Sequence, residues 1–204
     1  MTQIDLYKTL DKPSEGIYKE KGSKFIAYAY PVFTEDEIKA HIADLKKQYY
    51  DARHHCYAWQ LGADGKLFRA NDDGEPSGTA GKPIHGQIRS HELSNILIVI
   101  IRYFGGTKLG TSGLIRAYRE ASIDAINNGN IIERTVDDVY RLEFDYGVMN
   151  DIMKIMKEEA PNIIRQDFDL RCSIEWSCRQ QNVERINARL TKLESVNIEF
   201  LRTT

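Results

Sequence analysis

This 204-residue chain lacks the features that would settle its class at once. Cysteine is scarce. Cys56, Cys172 and Cys178 are odd in number and show no paired C-x2-C spacing, so neither a disulfide framework nor a zinc site is expected. They read as reduced core residues of a cytoplasmic protein. Long hydrophobic runs are missing as well: Ile96 to Ile101 is six residues, whereas a bilayer span needs about 20, so no membrane role is expected. Met1-Thr2-Gln3-Ile4-Asp5 has neither a basic n-region nor an apolar h-region, so export is not expected. An excess of charge of one sign is absent too. With 28 Lys+Arg against 30 Asp+Glu the net charge is −2, which removes the whole-chain argument for nucleic acid and leaves no DNA-specific signal.

The charge that is present is unevenly placed. Residues 1–134 hold 18 Lys+Arg and 17 Asp+Glu, and residues 135–204 hold 10 and 13. Within 78–119, Lys82, Arg89, Arg102, Lys108, Arg116 and Arg119 face Glu92 alone. A solvated basic face is the plain reading of such a count. However, the basic stretch overlaps two glycine-rich segments, Asp72–Pro83 and Arg102–Gly113, which together carry seven of the fourteen glycines. Glycine at that density costs conformational entropy, and its usual return is close approach of backbone to something else. The two segments are therefore read as walls of one site.

Periodicity predicts two units. In the first, strands at Gly16–Tyr18 and Lys24–Val32 form a hairpin. A helix N-capped by Thr34 follows, with Glu37 three residues on. Strands at His55–Leu61 and Leu67–Ala70 come next, then a helix from Pro83 to about Leu93. Asn95–Phe104 is non-alternating and β-branched, as a strand covered on both faces should be. A helix from Leu109 or Ser112 to Asn127 closes the unit. Ile131–Asp138 reads as the junction. Beyond it the order is β-α-β-β-α-β, the ferredoxin-like order, with helices at Val148–Glu159 and Gln180–Leu193 and a last strand at Val196–Leu201.

The strand, the Gly105-Gly106 turn and the helix behind it form the arrangement by which α/β folds present N–H groups to phosphate. It is not a Walker A loop, because Thr111-Ser112 stands where Lys should be, and the Rossmann G-x-G-x-x-G is absent. A purely structural turn is the alternative. Lys108, Arg102 and Arg116 near a helix N-terminus oppose its dipole by roughly 0.3–1 kcal/mol each, which an anionic ligand would relieve. Asp72, Asp73 and Glu75 form either a solvated turn and ion pairs, the favoured reading, or a magnesium site beside a phosphate. His54 and His55 point to opposite faces of a strand, so they cannot share a metal. His54 is either a hydrogen-bonded structural residue or an acid, base or phosphate contact. Tyr103 and Phe104 are either packed aromatics or stacking surfaces for a base.

His54–Ala58 (H-H-C-Y-A), residues 72–83 (D-D-G-E-P-S-G-T-A-G-K-P), residues 102–110 (R-Y-F-G-G-T-K-L-G), residues 113–118 (G-L-I-R-A-Y) and the early Lys21–Ile26 together resemble the bacterial, YigZ-type branch of the IMPACT family. The resemblance covers essentially the whole chain. It implies an α+β protein of two domains. Residues 1–134 would be an α/β sandwich resembling domain IV of elongation factor G, and residues 135–204 a ferredoxin-like domain resembling its domain V. Eukaryotic relatives regulate translation by competing for an activator of an initiation-factor kinase. They carry an additional N-terminal interaction domain not seen in this sequence, so that partner is not expected here.

The expected function is that of a cytoplasmic translation-associated regulator binding RNA or the ribosome through the N-terminal domain. Lys82, Arg102, Lys108 and Arg116 would contact phosphate, the Gly105 and Gly106 amides would donate to it, and Tyr103 would stack. The alternatives are an enzyme acting on a phosphorylated small molecule, with magnesium on Asp72, Asp73 and Glu75 and His54 as acid or base, and a protein-interaction module working through the C-terminal domain. Binding is favoured over catalysis, and no cofactor is expected under the leading reading.

Overall fold

The computed structural model describes residues 6–168 and 171–203. The chain divides into two compact units, Tyr7–Arg134 and a second comprising Leu6 with the residues from Thr135 onward.

The first unit is built on a five-stranded sheet. Its strands are β2 (Ser14–Glu20), β3 (Ser23–Pro31), β4 (His54–Leu61), β5 (Leu67–Asn71) and β6 (Ile96–Tyr103), in the order β2-β3-β6-β4-β5 with every neighbour antiparallel. The central strand β6 explains the layering. Ile96, Ile98 and Ile100 point to one face, where helices α2 (Gly81–Ser90) and α3 (Gly110–Asn127) cover them with Ile84, Ile88, Leu114, Ala117, Tyr118 and Ala121. Leu97, Val99 and Ile101 point to the other, under Ile38 and Leu45 of α1 (Glu35–Gln48). A strand sandwiched between helices has no use for alternation, which is why its sequence reads as an unbroken apolar run. At the start of α1, the Thr34 hydroxyl accepts from the Glu37 N–H at 3.2 Å, while the Glu37 carboxylate accepts from the Phe33 N–H at 2.7 Å.

Two features differ from the sequence-based expectation. Residues 131–138, read as a junction, include a short strand β7 (Ile131–Thr135) that pairs with β1 (Leu6–Leu10). Five mostly exposed residues joined to a partner far away in the chain carry almost no local signal. Helix α2 also begins at Gly81, ahead of Pro83, for a reason that lies in the acidic loop preceding it.

The second unit runs β8 (Asp137–Phe144), α4 (Met149–Glu159), β9 (Asn162–Phe168), β10 (Cys172–Arg179), α5 (Gln180–Leu190) and β11 (Val196–Thr203), in an antiparallel sheet ordered β11-β8-β10-β9. Leu142, Ile174 and Trp176 pack against Ile152 of α4 and Ile186 and Leu190 of α5. Arg185 and Arg189 of α5 reach Glu159 of α4 at 2.8 and 2.7 Å.

Candidate functional site

Strand register places the first residues of the site. His54 on β4 and Phe25 on β3 both lie opposite Arg102 on β6, and directly opposed residues share a face. That face is the one covered by α3. His55, one residue on, faces the other way. It is buried, its ring lies 3.1 Å from the Tyr49 carbonyl, and burial holds its pKa below the usual histidine value.

The acidic loop after β5 is wired to this face through its backbone and its carboxylates. Asp72 accepts N–H donations from Gly78 at 2.8 Å, Ala80 at 3.0 Å and Gly81 at 2.8 Å. Burial opposes its ionisation, but those three amides outweigh it and hold the carboxyl below the usual range. Asp72 thus satisfies donors at the start of α2 from outside the helix, so α2 can begin before its proline. Asp73, with φ of 40°, accepts the His55 N–H at 2.7 Å and meets Lys46 at 3.4 Å. Its carbonyl lies 2.9 Å from His54 Nδ1. A carbonyl can only accept, so Nδ1 carries the proton.

Glu75 is buried in a third environment. Its Oε1 accepts from Arg102 Nη1 at 2.5 Å and from the Tyr118 hydroxyl at 2.8 Å, and that hydroxyl in turn accepts from the Cys56 thiol at 3.3 Å. Arg102 is 7% exposed, with its guanidinium 5.5 Å from the centre of the Phe25 ring and 5.7 Å from that of Phe104. Its Nε has no hydrogen-bond partner among the described residues. Burial pushes the Cys56 thiol and the Tyr118 phenol well above their ordinary values, so both stay protonated.

The second glycine segment closes over this network. Gly105 sits against the β2–β3 turn so tightly that a Cβ there would lie 1.9 Å from the Gly22 carbonyl carbon. Its N–H donates to the Ser23 hydroxyl at 3.1 Å. Gly106 and Gly110 have φ of 86° and 72° and face open space. The result is a hollow of about 490 Å³ lined by Arg53, His54, Glu75, Pro76, Arg102 and Phe104, and by the segment from Lys108 to Thr111 with Leu114. The N-terminus of α3 lies in that lining. Its N-cap, Leu109, makes no side-chain bond, and its first turn holds no acidic residue.

The two motif segments therefore do meet, but not with the expected cast. Arg102, Lys108, His54 and Glu75 line the hollow. Because Glu75 neutralises Arg102, the positive charge of the lining comes from Lys108, Arg53 and the α3 amides. Arg116 pairs with Glu20 and Lys82 sits exposed in the first turn of α2; neither lines the hollow. Tyr103 points to the α1 side, where its hydroxyl meets Asp51 at 2.7 Å, so Phe104 is the aromatic at the hollow instead. The Gly105 amide is committed to Ser23 and neither Gly105 nor Gly106 lines the hollow, whereas Gly110 and Thr111, the first residues of α3, do. Asp72, Asp73 and Glu75 each hold different protein donors. Among the described residues no group of three or more His, Cys, Asp or Glu side chains is placed to hold a metal. Arg53 carries no motif signal of its own and enters only as the residue directly before β4, while Tyr118 ends the G-L-I-R-A-Y stretch and is placed by the helical spacing of α3.

Residues 21–126 match the model of the Impact N-terminal domain. The chain belongs to the IMPACT family. Among curated IMPACT proteins it is 36% identical to YvyE of Bacillus subtilis over 152 residues, covering 74% of this chain and 70% of that one. It is 30% identical to YigZ of Escherichia coli over 183 residues, covering 89% and 90%. A solved structure described as a hypothetical protein superposes with a TM-score of 0.75 at 27% identity, covering 98% of this chain and 99% of its own. The region matched by the IMPACT model contains every residue that lines the hollow.

Proposed function

We propose that this IMPACT-family protein is a translation-associated regulator that binds RNA, free or in the ribosome, through the hollow of its first unit. The carrying observation is the hollow itself. It brings an uncapped helix N-terminus together with Lys108 and Arg53, two cations with no ion pair among the described residues, beside a buried arginine. Uncapped amides and cations on one concave surface repel one another until an anion arrives, and the phosphates of a nucleic-acid backbone supply one. Family membership supports the translation reading, and the expected site of action is the cytoplasm. The strand order of the second unit supports a ferredoxin-like assignment for residues 135–204. That unit is the surface open to a protein partner.

A filter-binding or ribosome-pelleting series at rising salt tests this directly. For single-stranded RNA the slope of log affinity against log salt is about −0.7 per phosphate neutralised, so two or three contacts give a slope of about −1.4 to −2.1. Arg53→Ala with Lys108→Ala, both exposed positions, should weaken binding about tenfold or more and flatten the slope. Affinity that is absent, insensitive to salt or unchanged in the double variant would overturn the proposal.

A further inference from the structure

The chemistry of the hollow narrows the ligand beyond a phosphate backbone, and this narrower assignment rests on the RNA reading of the same site. A site that met only phosphates would be a shallow basic surface. This one is concave, and Pro76, Phe104, Leu109 and Leu114 give it apolar walls beside the cations. Its volume of about 490 Å³ falls within the roughly 300–1,000 Å³ usual for pockets that enclose a ligand. Phe104 is 56% exposed although it lies against the Arg102 guanidinium, so the ring is offered to something outside the fold. A duplex keeps its bases stacked inside and cannot enter such a space, whereas an unpaired nucleotide can be splayed out and stacked on an aromatic ring.

His54 adds a hydrogen-bond acceptor to the lining. The Asp73 carbonyl fixes the proton on Nδ1, at 2.9 Å. The neutral ring then has a lone pair on Nε2, which has no hydrogen-bond partner among the described residues. His54 lines the hollow. Every other charged or N–H group identified there is a donor or, in Glu75, is already engaged by Arg102 and Tyr118. An acceptor among donors has no role toward phosphate oxygens, which only accept, but it suits a hydroxyl. The ribose 2′-hydroxyl is the group that separates RNA from DNA.

We propose that the hollow takes one unpaired ribonucleotide of an RNA strand. Its phosphate sits on the Gly110 and Thr111 amides with Lys108 and Arg53, its base lies against Phe104, and its 2′-hydroxyl donates to His54 Nε2. The test is fluorescence anisotropy with labelled oligonucleotides of one sequence: single-stranded RNA, single-stranded DNA and RNA duplex. Single-stranded RNA should bind about tenfold or more tighter than either of the others. Phe104→Ala, at an exposed position, should weaken RNA binding by about tenfold. His54→Asn keeps a donor near the Nδ1 position for the Asp73 carbonyl and removes Nε2. It should bring the RNA and DNA affinities together while leaving the urea midpoint close to wild type. Excess nucleoside monophosphate should not displace the strand; displacement at micromolar concentration would make a free nucleotide the occupant and overturn the proposal. Equal binding of RNA and DNA by wild type, or of strand and duplex with Phe104→Ala silent, would overturn it while leaving RNA binding intact. No RNA binding of any kind would remove the broader reading and this one together.

Discussion

At the scale of single residues, the Glu75–Arg102 pair joins the two glycine-rich segments and explains their dependence on each other. Taking both charges out of water is costly: Arg102 is held by Glu75, and Glu75 by Arg102 and Tyr118. Glu75→Ala leaves Arg102 buried without its counter-charge, which should cost about 3–5 kcal/mol in urea denaturation. Replacing both with apolar residues, Glu75→Leu with Arg102→Met, should recover most of that loss. A loss in the double variant as large as in the single would contradict the pairing account. His55 sets a pH dependence. Burial lowers its folded pKa despite the favourable Tyr49 carbonyl and Asp73, with Lys46 and His54 adding to the lowering. The folded state therefore prefers the neutral ring. Its contribution is fully present above the unfolded value of about 6.5 and is lost as the pH falls through the folded value. The urea midpoint should drop between pH 7.5 and pH 5.5, and the drop should shrink in His55→Gln. The sequence marked Asp72, Asp73, Glu75 and His54 as special because of their motif. It could not show that each carboxylate has its own set of donors, since those partners come from β4, β6 and α3, far away in the chain.

At the scale of elements, the two neighbouring glycines at 105 and 106 do different work. Gly105 is held by contact, since a Cβ would collide with the backbone at Gly22. Gly106 is held by conformation, with φ of 86° and open space around it. Gly105→Ala should therefore destabilise by about 3 kcal/mol or more and Gly106→Ala by about 1–2 kcal/mol, read as chemical-denaturation midpoints. Equal effects would contradict the assignment. The strands and helices themselves were largely legible, because β6 is apolar at every position from Ile96 to Ile101, α1 has its Thr34 cap, and α3 has its Leu114, Ala117, Tyr118 and Ala121 stripe. The pairing of β1 with β7 was not legible, since it depends on a contact across most of the first unit. Tyr103 shows the same limit at one position. Its neighbours suggested a stacking role, but strand alternation turns it away from Phe104 and the hollow.

At the scale of the molecule, a net charge of −2 conceals a small local field. Several cations near the motifs are already paired, Arg102 with Glu75, Arg116 with Glu20 and Lys46 with Asp73. A site of that kind gives modest affinity with a modest salt slope, and its selectivity comes from shape. The most direct test of the central claim is an amide NMR titration of the whole protein with a short single-stranded RNA. The account predicts the largest shifts at Gly110 and Thr111, with smaller ones at His54 and Phe104 and a quiet Gly105, whose amide is already bonded to Ser23. Shifts centred on other surfaces, with Gly110 and Thr111 unmoved, would contradict it.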